Sequence, residues 1–496
     1  MQTKQVDRED TVTISRIEFE RLSSLDQQVA FLNEQLCKLR RLIYGVKSER
    51  FIPIDSAQGS LFDTSEEQQE ADQLSSSEKI TYERNIKKKE KQQPVRALLP
   101  AHLPREEEVI EPEGLEEGMK KIGEEVTEVL EHTPGRLYVR RIVRPKYVKG
   151  KEDGVHIGQL PSLPIPKGNA GPSLLAHIMV SKFVDHLPYY RQIQIFKREG
   201  VVLSDSTFNS WFNTTARLVE PLYDSLVKVV QNQGYLQADE SPIKVQDGHK
   251  ERATHLGYHW VYHAPREKLA VFDYQPSRSK QGPKAFLQNF KGYLQTDGYA
   301  AYNELGRGDD IVLLGCMAHA RRYFQKALDN DKERASYALK LIQSLYAIER
   351  QAKEDSELDI LTLRKEKALP ILKKWKQWLD QQQSQVLPKS SIGKAVNYSL
   401  NLWDRLMVYT ENADFHIDNN LIENTIRPLT IGRKNYLFAG SHQAAQKAAM
   451  FYSFFACCKL HHVNPHLWLK NVLETIQDHS IKQIESLLPH LWKPKT

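Results

Sequence analysis

Near the middle of the chain the same short phrase is written twice: GYLQADESPIKV, which presents Asp239 just past its apolar residues, and GYLQTDGYAAY, with Asp297 at the matching place. Each reads as a strand delivering a carboxylate at its C-terminal end. Between them lie two further strand-like runs, HLGYHWVYHAP and KLAVFDYQPSR, and a helix around PKAFLQNF. A hairpin, a crossover helix and a returning strand set the strand of Asp297 beside that of Asp239, so both acids emerge on one edge. Two carboxylates so close repel unless a cation sits between them, which is an arrangement for divalent metal.

Holding two ions needs a third acid. The candidate lies in FHIDNNLIENTIRPLTIGRKNYLFAG, where Asp418 reads as a helix cap and Glu423 and Arg427, four apart, share one face of that helix. Glu423 can reach metal while Arg427 faces phosphate. Arg433 and Lys434 follow a Pro and a Gly and read as a short basic loop suited to a DNA backbone. A surface ion pair and a solvated loop explain the same residues, and only the joint pattern favours chemistry. The run IVLLGCM reads as a buried strand, and GCMAHARRYF places His319, Arg321 and Arg322 just after it. For His319, contact with a phosphate or an acid and a plain packing role stand level.

The remainder sets the frame. The chain has 496 residues, 40% hydrophobic and 27% charged, which asks for three or four folding units. Leu22, Leu25, Val29, Leu32, Leu36, Leu39 and Ile43 form the seam of a short coiled coil within residues 1–50, ended at Gly45. Residues 51–100, passing from EEQQEAD to KKKEK with few apolar anchors, read as a disordered linker. Residues 101–170 alternate as a small β-containing module. In 171–230, SLLAHIMVSKFVDHLPYYRQIQIFKREG and STFNSWFNTTARLVEPLYDSLVKVV read as two helices joined at Gly200, with Ser204 and Ser206 as candidate caps. Such a pair either reads DNA or simply packs. The polar opening MQTKQVDRED and the lack of a long apolar run point away from export and membrane insertion, and the four cysteines show no disulfide or zinc spacing. A net charge of +6 and a pI near 8.8 are compatible with nucleic acid without requiring it.

Taken in order, ADES, LQTDGYAAY, GCMAHARRYF and DNNLIENTIRPLTIGRKNYLFAGS closely resemble the insertion-sequence-66 family of bacterial transposases. The leading coiled coil with LRRLIYGVKSERF and the closing FYSFFACCKLHHVNPHLWLKNVLETI with SIKQIESLLPHLW resemble that family's two ends. The resemblance implies an α/β fold with a ribonuclease H-like catalytic core over 231–435, a helical insertion about 325–410 and a C-terminal helical tail over 436–496. It makes Asp239, Asp297 and Glu423 a DDE triad holding Mg2+, with Mn2+ as a substitute. Arg427, Arg433, Lys434, Arg321, Arg322 and His319 become the DNA-contacting set.

The implied partners are element ends and target DNA, further copies of the chain joined through the coiled coil, and proteins encoded beside it; the implied location is the cytoplasm, at the nucleoid during activity. Family members commonly carry two CxxC pairs ahead of the core. Here no cysteine occurs between Cys37 and Cys316, and His102, His132 and His156 are too widely spaced, so no structural zinc is expected. Arg136, Arg140, Arg141, Arg144 and Lys146 of that module remain candidates for DNA. Two competing functions stay open: an inactive DNA-binding or assembly protein derived from a transposase, and a structure-specific nuclease on the same fold.

Overall fold

The computed structural model describes residues 99–494 apart from 100, 102, 113, 115–118, 134, 149–154, 247–253 and 356–357. The expected coiled coil, most of the linker and His102 lie outside the described residues. The chain divides into two compact units, one gathering 320–344 and 373–401, the other gathering 95–319, 345–372 and 402–496.

The larger unit begins with the β module. Strands β1 (Arg105–Val109), β2 (Lys120–Thr133), β3 (Arg136–Val148) and β4 (His156–Ile157) form one sheet in which β2 and β3 make a long antiparallel hairpin and β1 runs parallel to β3. Gly135, at φ 80°, supplies the left-handed residue of the tip. Four of the five basic residues named as candidates for DNA face acids of the same sheet. Arg136 faces Glu106, Arg141 faces Glu107, and Arg144 and Lys146 share Glu125, at 2.9 to 3.8 Å. Cross-strand opposite charges of this kind stabilise the sheet.

Helices α1 (Pro172–Phe183), α2 (Tyr189–Arg198) and α3 (Asp205–Gln231) follow. The first helix expected from the sequence is broken in two because Pro188 keeps the residue before it out of helical conformation. Ser204 caps α3 through the Thr207 N–H, at 3.2 Å. Phe208, Trp211, Phe212, Val219, Leu222 and Leu226 of α3 are buried, so this helix pair packs into the core.

The second sheet carries the repeat. Strands β5 (Tyr235–Gln246), β6 (Thr254–Ala264) and β7 (Leu269–Gln275) form an antiparallel meander. After α4 (Gln281–Phe286), strands β8 (Gly292–Gln295) and β9 (Ile311–Leu314) return parallel on the other side of β5, giving the order β7-β6-β5-β8-β9. The long stretch before the third acid is helical: α5 (Met317–Ala327), α6 (Lys332–Glu354), α7 (Ile360–Leu363), α8 (Leu369–Gln383), α9 (Ser391–Asn401) and α10 (Trp403–Met407). Helix α11 (Asn420–Tyr436) carries Glu423, and α12 (His442–Leu460) and α13 (Pro465–Thr475) close the chain.

Edge strand β7 is covered by α12. Ser453 and Cys457, one turn apart, accept the N–H groups of Phe272 and Ala270, and the Tyr223 hydroxyl donates to the Phe272 carbonyl. Side chains thus satisfy an edge that would otherwise template pairing with another chain. The smaller unit is helical, with Phe324, Trp375 and Trp378 in one aromatic cluster, Tyr323 stacked on Tyr398, and Arg334 bound to Asp331 and Gln382. Among the described residues no helix is long and apolar enough to cross a membrane.

Candidate active site

The repeat explains how the acids are placed. Tyr235, Leu236 and Gln237 stand in register with Tyr293, Leu294 and Gln295 across the parallel β5–β8 pair. Alternation along a strand puts Tyr, Gln and Asp of each phrase on one face and Leu on the other. Leu236 and Leu294 are fully buried. On the opposite face, Gln295 accepts from the Tyr235 hydroxyl at 2.6 Å and from Gln237 at 2.8 Å. The same two carboxamides donate to the carbonyls of Gly315, His416 and Asp418 at 2.7 to 3.1 Å, while Tyr235 and Tyr293 enclose the Phe415 ring at 5.0 and 4.5 Å. One pair of identical phrases therefore grips the loop that leads into α11, and with it the position of Glu423.

That loop is held from a second side. Arg364, 1% exposed, pairs bidentately with Glu349 and donates to the carbonyls of Tyr409, Asn412 and Phe415 at 2.7 to 2.8 Å. Asp418 accepts the Tyr346 hydroxyl at 2.7 Å and the Asn420 N–H at 3.1 Å, so it supports the start of α11 from one place before the Asn419 cap. Gln237, Gln295, Arg364 and Tyr346 were not picked out from the sequence. A glutamine two residues before each Asp was the available signal.

Asp239, Asp297 and Glu423 are each half-buried. Asp239 lies inside β5, where pairing with β8 ends but pairing with β6 continues, rather than at a strand end. Asp297 lies just past β8 and accepts the Tyr299 N–H at 2.8 Å across Gly298, whose φ of 90° the turn requires. Burial pushes the Asp239 carboxyl well above the ordinary carboxylate range, the charges of Glu240, Asp297 and Glu423 push it further, and the Glu240 N–H opposes them. The first two acids and the third are thus brought within electrostatic reach of one another.

Neighbours add charge and hold geometry. Glu240 is raised by burial but pulled back by Arg278, which binds it through both Nε and Nη2 and lies 4.1 Å over the Tyr299 ring. Its other oxygen, Oε2, is buried without a hydrogen bond, and so is the carboxamide of Asn419, one turn before Glu423. His319 Nε2 stands 4.0 Å from Glu423 Oε1, so of the acids named above the third is the one it approaches. Arg321 and Arg322 lie further along α5, in the smaller unit.

Arg433 and Lys434 correct the expectation of a basic loop. Helix α11 runs through Pro428 and Gly432 to Tyr436. Gly432 serves packing: a Cβ there would come within 2.7 Å of the Tyr452 hydroxyl. Arg433 is turned onto β5, donating to Ser241 Oγ and the Pro242 carbonyl at 3.0 and 2.7 Å, whereas Lys434 is exposed.

A hard cation suits this donor set in charge, since it would offset the repulsion around Asp239. As they stand, no three His, Cys, Asp or Glu side chains among the described residues are gathered into a group that could hold a metal ion.

Comparison with known proteins decides the family. The model described as Transposase IS66 family matches residues 167–447, spanning both strands of the repeat and α11. The chain belongs to this family. Two further models match the same transposase, one described as Transposase C of IS166 homeodomain over 31–107 and one as IS66 C-terminal element over 453–490. Relatives from Sinorhizobium fredii run nearly end to end with it. The uncharacterized protein y4jD is 30% identical over 503 residues, covering 95% of this transposase and 96% of y4jD. The uncharacterized protein y4qI is 30% identical over 496 residues, covering 95% and 90%, and y4hP is 28% identical over 501 residues, covering 94% and 89%.

Proposed function

We propose that this transposase cuts the ends of its element and joins the freed 3′ ends to target DNA at Asp239, Asp297 and Glu423, on a ribonuclease H-like core. The observation that carries the reading is the parallel β5–β8 pair, which sets two identical phrases in register with an Asp following each, and whose glutamines grip the loop before Glu423. The strand order, with an antiparallel meander on one side of β5 and two parallel strands on the other, supports that core.

The three acids would hold Mg2+, or Mn2+ in its place, which supplies Lewis-acid stabilisation of the charge that builds on the attacked phosphate. The protein's own part is placement. Gln237 and Gln295 fix the distance between the sheet and α11, Arg433 locks that helix to β5, and His319 orients the Glu423 carboxylate. Arg427 and Lys434, with Arg321 and Arg322, bind the DNA backbone and keep the reacting phosphate in line. Copies of the chain assemble through residues 1–50, and proteins encoded beside the gene take part.

The test is Mg2+-dependent cleavage and joining of a duplex bearing the element's terminal inverted repeat. Wild-type protein should yield joined product and Asp297→Asn none. Cleavage that survives Asp297→Asn would overturn the site, and nicked product without joining would make the chain a nuclease.

A further inference from the structure

The chain leaves α11 through a turn that leucine rarely makes. Leu437 has φ 64° and ψ −43°, and the Phe438 N–H reaches back to the Tyr436 carbonyl at 2.7 Å, a γ-turn of the rare positive-φ kind. Glycine would adopt this backbone without steric conflict. Such conformations persist where the surroundings over-determine them, and they cluster at ligand clamps. Here both flanks are fixed. The Leu437 N–H bonds the Arg433 carbonyl at 2.9 Å, and Ala439 forms a bridge to β5 through the Lys244 carbonyl and the Gln246 N–H, each at 2.8 Å.

The result of the turn is exposure: Leu437 is 64% and Phe438 43% open to solvent, side by side on a rigid base. Three exposed cations stand on the elements that flank the turn. Lys434 is exposed one turn earlier, Lys244 is exposed on the bridged strand, and exposed Arg191 binds Asn435 of the last helical turn at 3.2 Å. An apolar tip with cations on its flanking elements matches duplex DNA, whose phosphates take the cations while the tip enters between base pairs.

We propose that Leu437 and Phe438 are a wedge that unstacks one base step of the element end. The inference rests on the reading that the acids cut this DNA. Its position follows from the helix. Glu423, Arg427, Ile431 and Lys434 recur at intervals of three and four and so share one face of α11, the helix that ends at the turn. At 1.5 Å per residue the wedge lies ~20 Å along the axis from Glu423. With α11 laid along the duplex, 3.4 Å per base pair puts the wedge about six base pairs from the cut.

The experiment uses the full chain and the terminal inverted-repeat duplex, with 2-aminopurine placed in turn at each of its outer positions. Fluorescence should rise several-fold at one step about six base pairs from the cleaved bond. Phe438→Ala and Leu437→Gly should lose most of that rise while still retarding the duplex in a gel. Leu437→Gly relieves the backbone conflict, so misfolding cannot account for its loss. The wedge is overturned if wild-type protein cuts the duplex but no position brightens, or if the brightening survives both substitutions. It is equally overturned if the substitutions leave fluorescence intact and instead dissociate the protein by light scattering, which would mark a contact with a second copy. Failure of the underlying reading looks different: wild-type protein and Asp297→Asn would then behave alike in the cleavage assay.

Discussion

The two copies of the GYLQ phrase begin alike and end differently. Both bury their leucine, send tyrosine and glutamine to the same loop, and place aspartate two residues after the glutamine. Past that point β5 continues for seven residues beyond Asp239, because β6 pairs with it as far as Gln246, while β8 stops before Asp297 and turns at Gly298. One acid is fixed in a strand and the other in a turn. The repeat dictates which face the acids occupy; the partner strand dictates how firmly each is held.

The comparison can be broken first at the chemistry. If both copies serve one centre, Asp239→Asn and Asp297→Asn should each lower Mg2+-dependent cleavage by on the order of 10²–10³-fold or more, the scale of losing one preorganised charge-stabilising group. A variant retaining near wild-type cleavage would remove its copy from the site.

The glutamines should differ next. Gln295 makes four hydrogen bonds in this network, and Gln237 shares one of them while adding the Asp418 carbonyl and a longer bond to the Tyr235 hydroxyl. Each buried group left unpaired costs about 1–3 kcal/mol, so Gln295→Leu should lower Tm more than Gln237→Leu, and both should slow cleavage through Glu423. Equal losses would contradict the asymmetry.

A smaller effect separates the acids in stability. The Asp239 carboxyl is raised by burial and by its acidic neighbours, so folding loses stability as pH climbs from the unfolded value near 3.8 through the raised one. Without added metal, Asp239→Asn should raise Tm at neutral pH by a few degrees, ~1 kcal/mol being worth about 2–4 °C in a domain of this size. The same variant should flatten the acid-side slope of Tm against pH, and Mg2+ should stabilise the wild type but not the variant. A wild-type Tm that is flat with pH would count against the crowding of charge at Asp239. Smallest of all, Leu437→Gly should leave cleavage of nicked or frayed ends unchanged, since a base step already open needs no wedge.

Much of this arrangement was legible beforehand. Strand alternation and the repeated phrase were enough to set Asp239 beside Asp297, because a period of two and a crossover leave few other solutions. The grip of Gln237 and Gln295 was not legible: glutamine in a strand reads as surface filler, and only its partners on a distant loop show otherwise. Pro428 and Gly432 misled in the opposite direction. Both are breakers by local propensity, yet α11 continues, its glycine required by Tyr452. The ion pairs of the β3 arginines were not legible either, because their glutamate partners on β1 and β2 are distant in sequence or read only as part of an acidic run.

Arg364 gives the helical stretch between the second and third acids a meaning beyond length. Residues 345–372 of that stretch belong with the sheet, and through Tyr346, Glu349 and Arg364 they hold the loop that carries the third acid. Removing residues 345–372 would therefore loosen Glu423 together with the loop that precedes it. Part of what separates the second acid from the third in sequence is thus a brace that keeps the third in place, and shortening it would cost the site its shape before it cost the fold its core.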